Sequence, residues 1–276
     1  MIKHFLLTTT LFLTIFASAT AGDKTSVFNQ PQDRPEKDSV LLLPRFTNEP
    51  LSFMVKNVNI ELIPVEKSAD ATEASTKPSQ PYYIGKTEVT QRLWESVMGS
   101  NPSIFKGALS PVENISWEEV QEFIIKLQDI TGYAFRLPSE FEWEFAAQGG
   151  NLSKGYKYSG SNKIDGVAWY TINSKDKTSY VAKKEPNELG IYDMSGNVEE
   201  WCSDAFYEEN DGSGSKVNTL QTRYVQKDLL DNLIVPRVIR GGCWDSRAKG
   251  CLTTARDGSD RKNSKIGFRL CISAVE

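Results

Sequence analysis

Histidine is almost missing from this chain. The one histidine among 276 residues is His4. It sits in a stretch with Lys3 beside it, an apolar run from Phe5 to Phe16 broken only by threonines, and Ala19-Thr20-Ala21 before Gly22. A charged start, a short apolar run and an A-x-A site are the marks of a secretory leader, so residues 1–21 are expected to be a signal peptide. The mature chain then has no histidine. That excludes Ser-His-Asp and Cys-His nucleophilic catalysis, histidine general bases and histidine-ligated zinc or iron. No cysteine follows the apolar run, so a lipid anchor at this site has no sulfur to use. Long hydrophobic runs are missing as well. No later stretch reaches the roughly 18 apolar residues of a membrane helix, and none is expected. Excess positive charge is also absent: without Lys3, 31 basic residues stand against 36 acidic ones. A nucleic-acid partner would need a basic face, so none is expected. The expected location is the cell surface, the periplasm or the medium.

Cysteine is sparse and carries no C-x-x-C spacing. Cys202, Cys243, Cys251 and Cys271 therefore suggest neither a metal knuckle nor a thioredoxin-type motif, and the three pairings open to four cysteines remain open. What the chain does have is core material. The hydrophobic fraction is 39 %, with six Trp and thirteen Phe, while glycines and short polar turns are scattered throughout. This combination suggests one domain with much irregular backbone. Residues 22–50, polar and holding Pro31, Pro35 and Pro44, read as an N-terminal arm, and residues 51–276 read as the domain.

Local patterns supply its elements. Phe53–Leu62 alternates over part of its length as a strand does. Thr87 precedes a helix with Val89, Leu93, Trp94 and Val97 as its apolar stripe and Gly99 at its end. Ser116 with Glu119 forms a capping box for a second helix, and Ser139 starts a third. Short strands are expected at Val167–Tyr170, Tyr180–Val181, Ile191-Tyr192, Val238–Arg240 and Gly267–Leu270.

Six ordered motifs then point to a family. They are Lys86-Thr87-Glu88-Val89-Thr90-Gln91, Pro111–Trp117, Arg136-Leu137-Pro138-Ser139-Glu140-Phe141-Glu142-Trp143-Glu144, Gly190–Trp201, Arg240-Gly241-Gly242-Cys243-Trp244 and Gly267-Phe268-Arg269. Together, over roughly residues 50 to 273, they resemble the formylglycine-generating-enzyme (sulfatase-modifying factor) domain. The resemblance implies an α+β, C-type-lectin-like fold with a small mixed but mainly antiparallel sheet, two main helices and long loops. Fold does not fix function, so the site has to be argued separately.

Active members of this family use two cysteines, four and nine positions after the second glycine of the Gly-Gly turn, to bind copper and activate oxygen. Counting from Gly242 gives Ser246 and Cys251. Soft thiolates suit Cu(I) and a serine does not replace one, so no copper is expected. The resemblance also implies a structural calcium loop with the side chains of Asp193 and Glu200 and the carbonyls of Gly196 and Val198 as ligands, a mixture of hard oxygens.

The segment 240–271 is the most informative. Motif residues at both ends enclose small, polar and charged residues with neither helical nor alternating period. Such a stretch on a rigid frame is the usual form of a binding surface. Near the C-terminus of this fold it resembles the variable proteins of diversity-generating retroelements, those of Treponema in particular, in which adenines of a C-terminal repeat are rewritten. Asp245, Ser246, Arg247, Ala248, Gly250, Leu252, Ala255, Gly258, Ser259, Asp260 and Asn263 are all reachable from AAC codons by changing adenines. Trp244, Lys249 and Lys265 are not, and Trp244 is expected to pack with Phe268 beneath the face. These residues, Trp244 included, are the candidate ligand-binding set, for a protein or glycan on another cell. The expected protein is thus an exported, non-enzymatic binder. The alternatives are a sulfatase-maturing oxidase with an atypical site and a structural or secretion-apparatus component.

Overall fold

Backbone hydrogen bonds sort the described residues into two main sheets and a two-stranded one, with the first two long helices on the first sheet and the third against the second. The computed structural model describes residues 40–72, 77–207, 209–210, 216–217 and 235–276. The expected leader and residues 22–39 of the arm lie outside the described residues. The arm's last residues lie on the domain: Leu42 N–H donates to Gly132 O at 2.8 Å and Phe46 N–H to Val275 O at 2.7 Å.

The first sheet has five strands in the order β1 (Leu51–Val55), β2 (Val58–Val65), β3 (Tyr82–Gly85), β11 (Cys271–Ser273) and β4 (Phe135–Arg136), all antiparallel. The second runs β10 (Ile266–Gly267), β5 (Glu199–Ala205), β8 (Arg237–Arg240), β9 (Arg256–Ser259), with only β10 and β5 parallel. A small hairpin pairs β6 (Glu209–Asn210) with β7 (Lys216–Val217). The expected single strand at Phe53–Leu62 is in fact the β1–β2 hairpin. Lys56 and Asn57 both take positive φ, 44° and 68°, the two-residue turn whose twist matches a hairpin.

Three main helices follow: α1 (Gln91–Met98), α2 (Trp117–Thr131) and α3 (Glu140–Ala147). The box at Ser116/Glu119 forms as expected, and Ser139, the expected start of α3, forms a second box with Glu142. The start of α1 does not. Thr90, not Thr87, is its cap, its hydroxyl accepting from Leu93 N–H at 3.3 Å. Val89 stays outside the helix because its N–H donates to Phe268 O and its carbonyl accepts from Val112 N–H. Tertiary partners likewise dissolve three expected strands. Residues 164–167 form one helical turn, α4 (Ile164–Val167). Val181 N–H donates to Leu109 O, and Tyr192 N–H to Lys86 O, so neither segment joins a sheet. The expected strand at 238–240 is β8, whereas 267–270 divides between β10 and a non-strand link to β11.

The main core lies between the first sheet and α1 and α2. Trp94 stacks on Phe123 at 5.1 Å, and Phe268 stands edge-on to both. Phe268, from the C-terminal segment, thereby anchors that segment in the core. Among the described residues no helix is long and apolar enough to cross a membrane.

Candidate functional site

Two buried arginines hold the ends of segment 240–271. Arg240, on β8, donates from Nη1 to Ala255 O at 2.7 Å and from Nη2 to Thr253 O at 2.9 Å and to Glu144. Its guanidinium lies 5.2 Å from the Trp143 ring centroid. One side chain thus ties β8, α3 and the carbonyls of residues 253–255. Arg269 donates from Nε and Nη2 to both oxygens of Glu200 at 2.5 and 2.6 Å, and also to Gly85 O and Tyr192 O. Both arginines and Glu200 are buried. A buried charge is tolerated only when paired and hydrogen-bonded, and these are. Between them the Gly241-Gly242 turn runs at φ 95° and 69°. A Cβ on Gly242 would fall 2.6 Å from Gly250 O, so only glycine lets residues 242 and 250 touch.

The residues between these anchors differ in what they can offer a ligand. Asp245, Arg247, Asp260 and Asn263 are exposed; Ala248, Leu252, Ala255 and Ser259 are half-buried. Asp245 pairs with Lys265. Trp244 donates from Nε1 to Ser264 O at 3.0 Å and meets Phe105 edge-on at 5.3 Å, which makes it support for the loop. Ser246 turns inward: its hydroxyl accepts from Cys243 N–H at 3.0 Å, leaving it little to give a ligand. Gly250, packed on Gly242, has no side chain to offer. Gly258 corrects the expected set. On β9 its Cβ would lie 2.2 Å from the Phe206 ring, so this position cannot accept other residues freely.

A second wall was not foreseen from the sequence. Lys249 and Leu252 line an open groove of about 680 Å³ together with Gln148, Tyr156, Lys157 and Tyr158, and Thr253 N–H donates to Lys157 O at 3.1 Å. The signal available was two tyrosines in a polar, glycine-bounded loop.

Beneath the face lie two thiols. Cys243 and Cys251 are both buried, and Cys243 Sγ is 3.4 Å from Ser246 Oγ. Burial pushes the thiols up to about 11 and about 12, so both stay protonated at neutral pH. Glu199 beside them is pushed up to about 7, by burial and then by Asp257.

The side chains of the implied calcium loop do not form an open ligand set. Asp193 Oδ2 accepts from Ala182 N–H at 2.7 Å, and Oδ1 is buried without a partner. Burial raises Asp193 to about 6. Glu200 is committed to Arg269 and also accepts from Trp143 Nε1 at 2.6 Å. Calcium requires six to eight oxygens, and one of the two carboxylates already neutralises a guanidinium. Even with the carbonyls of Gly196 and Val198 the set does not fit as a whole. Glu88, 1 % exposed and with both oxygens unpartnered, adjoins this cluster, and burial raises it well above the usual carboxylate range. Among the described residues no group of three or more His, Cys, Asp or Glu side chains is arranged to hold a metal ion.

The family model of the "Sulfatase-modifying factor enzyme 1-like domain" matches residues 52–274. The chain belongs to the sulfatase-modifying factor enzyme 1-like family. Within and around this family, it is 36 % identical over 201 residues to the chaperone protein LppX of Paenibacillus barcinonensis, covering 52 % of this chain and 71 % of LppX. It is 28 % identical over 236 residues to the formylglycine-generating enzyme of Streptomyces coelicolor, covering 76 % of this chain and 67 % of that enzyme. Among solved structures, Treponema denticola variable protein 1 superposes with a TM-score of 0.63 at 28 % identity, over 82 % of this chain and all of that one. The sulfatase-modifying factor fold, α+β with a C-type-lectin-like arrangement, is thus shared with both an enzyme and a variable protein.

Proposed function

We propose that this chain is an exported, non-enzymatic ligand-binding protein whose segment 240–271 is a binding face built to vary. The observation that carries this reading is the division within that segment: Arg240 and Arg269 are buried and paired, while Asp245, Arg247, Asp260 and Asn263 between them are exposed. A face of exposed polar residues on a fixed frame can change partner without changing fold. The likeness to Treponema denticola variable protein 1 supports the same reading. The leader-like residues 1–21 support export, and the ligand class is a protein or glycan on a cell surface. The deciding observation is the flanking DNA. A near-copy of the codons for Arg240–Cys271 beside a reverse-transcriptase gene is the expected finding. A flank without either sinks the variability.

One feature favours a second reading as an oxidase: Cys243 Sγ lies beside Ser246, where the enzymes of the family have a thiol. Against it, the first position of the pair is Ser246, and a hydroxyl does not replace the soft thiolate that Cu(I) takes. Incubating the purified protein with copper and a sulfatase peptide should leave the peptide cysteine unchanged. Formylglycine formation that is abolished in Cys251→Ala would establish the oxidase instead.

A further inference from the structure

We propose that Cys243 and Cys251 form a disulfide bond in the exported chain, closing residues 243–251 into a covalent ring beneath the binding face. The fold selects this pair from the six that four cysteines allow. The main chain next to one cysteine touches the main chain of the other: a Cβ on Gly242 would lie 3.1 Å from the Cys251 amide nitrogen. The intervening turn is folded back by Ser246 N–H donating to Cys243 O at 2.9 Å and by Cys243 N–H donating to Ser246 Oγ at 3.0 Å. The far side is pinned by Ser195 Oγ donating to Cys251 O at 2.8 Å. Bonded cysteines need Cα atoms within about 7 Å, and this main-chain contact brings the two residues next to each other across the turn. The other two cysteines have different surroundings. Cys202, on β5, and Cys271, on β11, belong to a separate buried cluster around Trp143 and Val238 that contains neither Cys243 nor Cys251.

In the reaction, each Sγ loses its proton and one electron as the S–S bond forms. A low-molecular-weight disulfide of the oxidised-glutathione class takes up both electrons and both protons and departs as two thiols. Thiol–disulfide exchange requires access of one sulfur to another, and Cys243 and Cys251 are both buried once the domain has closed. The bond therefore forms as the chain folds. Once made, it lies in the interior, out of reach of reductants. Its effect is to fix the part of the face that holds Trp244 to Gly250 more firmly than hydrogen bonds alone do. This proposal does not depend on the identity of the ligand or on the face being variable.

The test uses the full mature chain, refolded in a buffer of reduced and oxidised glutathione, then denatured and treated with N-ethylmaleimide. Intact mass should show two alkylated thiols per chain, rising to four after prior reduction. Trypsin cuts between the two cysteines at Arg247 and Lys249, so the bond should join two separate peptides, one carrying Cys243 and the other Cys251. Four alkylated thiols without reduction, or a link that includes Cys202 or Cys271, overturns the proposal.

Discussion

The same residue type serves two opposite purposes within thirty residues of this chain. Arg240 and Arg269 are buried, each with several carbonyls and at least one carboxylate around it. Arg247 and Arg261 between them are exposed; Arg247 has no side-chain partner among the described residues, and Arg261 has one loose ion pair with Asp260 at 3.6 Å. The difference is one of desolvation. A buried guanidinium needs every surrounding group in position, so its neighbours are fixed with it. An exposed one is solvated by water and can be replaced. Segment 240–271 is therefore two structures in one stretch of sequence, a frame and a face, and substitution is the way to tell them apart.

The largest effect is expected at the frame. Arg269→Ala would leave Glu200 as an uncompensated buried carboxylate, with Gly85 O and Tyr192 O losing donors. Breaking a buried pair from one side typically costs about 3–5 kcal/mol, a large part of the stability of a domain. Urea denaturation should show a loss of that size or a failure to fold. A loss below about 1 kcal/mol would mean that Arg269 is not part of a fixed frame.

A smaller effect is expected at Gly258, which sequence composition groups with the face and the geometry places in the frame. In Gly258→Val the new side chain meets the Phe206 ring, and overpacking of this kind costs about 1–3 kcal/mol. The denaturation midpoint should fall accordingly. An unchanged midpoint would return Gly258 to the interchangeable set and widen the face to β9.

What was legible in the sequence was what local chemistry decides. Ser116 with Glu119, and Ser139 with Glu142, cap their helices through atoms three residues apart, so α2 and α3 begin where they read. Thr87 carried the same local signal but lost it to Thr90, because Val89 is drawn into hydrogen bonds with Phe268 and Val112 from distant parts of the chain. The site divides along the same line. The anchors at Gly241-Gly242, Cys243 and Arg269 were visible as motifs. The commitment of Glu200 to Arg269, 69 residues away, was not, and it closes the calcium set that the loop alone suggests. The groove wall at Tyr156 and Tyr158 was hidden for the same reason: it reaches Leu252 only through the folded chain.

The smallest effect on stability, and the one most informative about function, is expected on the face itself. Arg247→Ser removes a side chain with no partner among the described residues, and Asp260→Ser removes one end of an exposed ion pair. Surface substitutions away from caps, pairs and core usually change stability by no more than about 0.5 kcal/mol, and exposed pairs contribute little. The two changes together should therefore leave the urea midpoint almost where it was. The same double variant should change which targets the protein captures on an array of cell-surface glycans and proteins, since it replaces a cation and an anion at the centre of the exposed stretch. The two readouts separate the possibilities. A stability that drops by more than about 2 kcal/mol places these residues in the frame after all. An unchanged midpoint with an unchanged capture profile would remove the face from the binding surface and leave the groove beside Tyr156 and Tyr158 to be tested in its place.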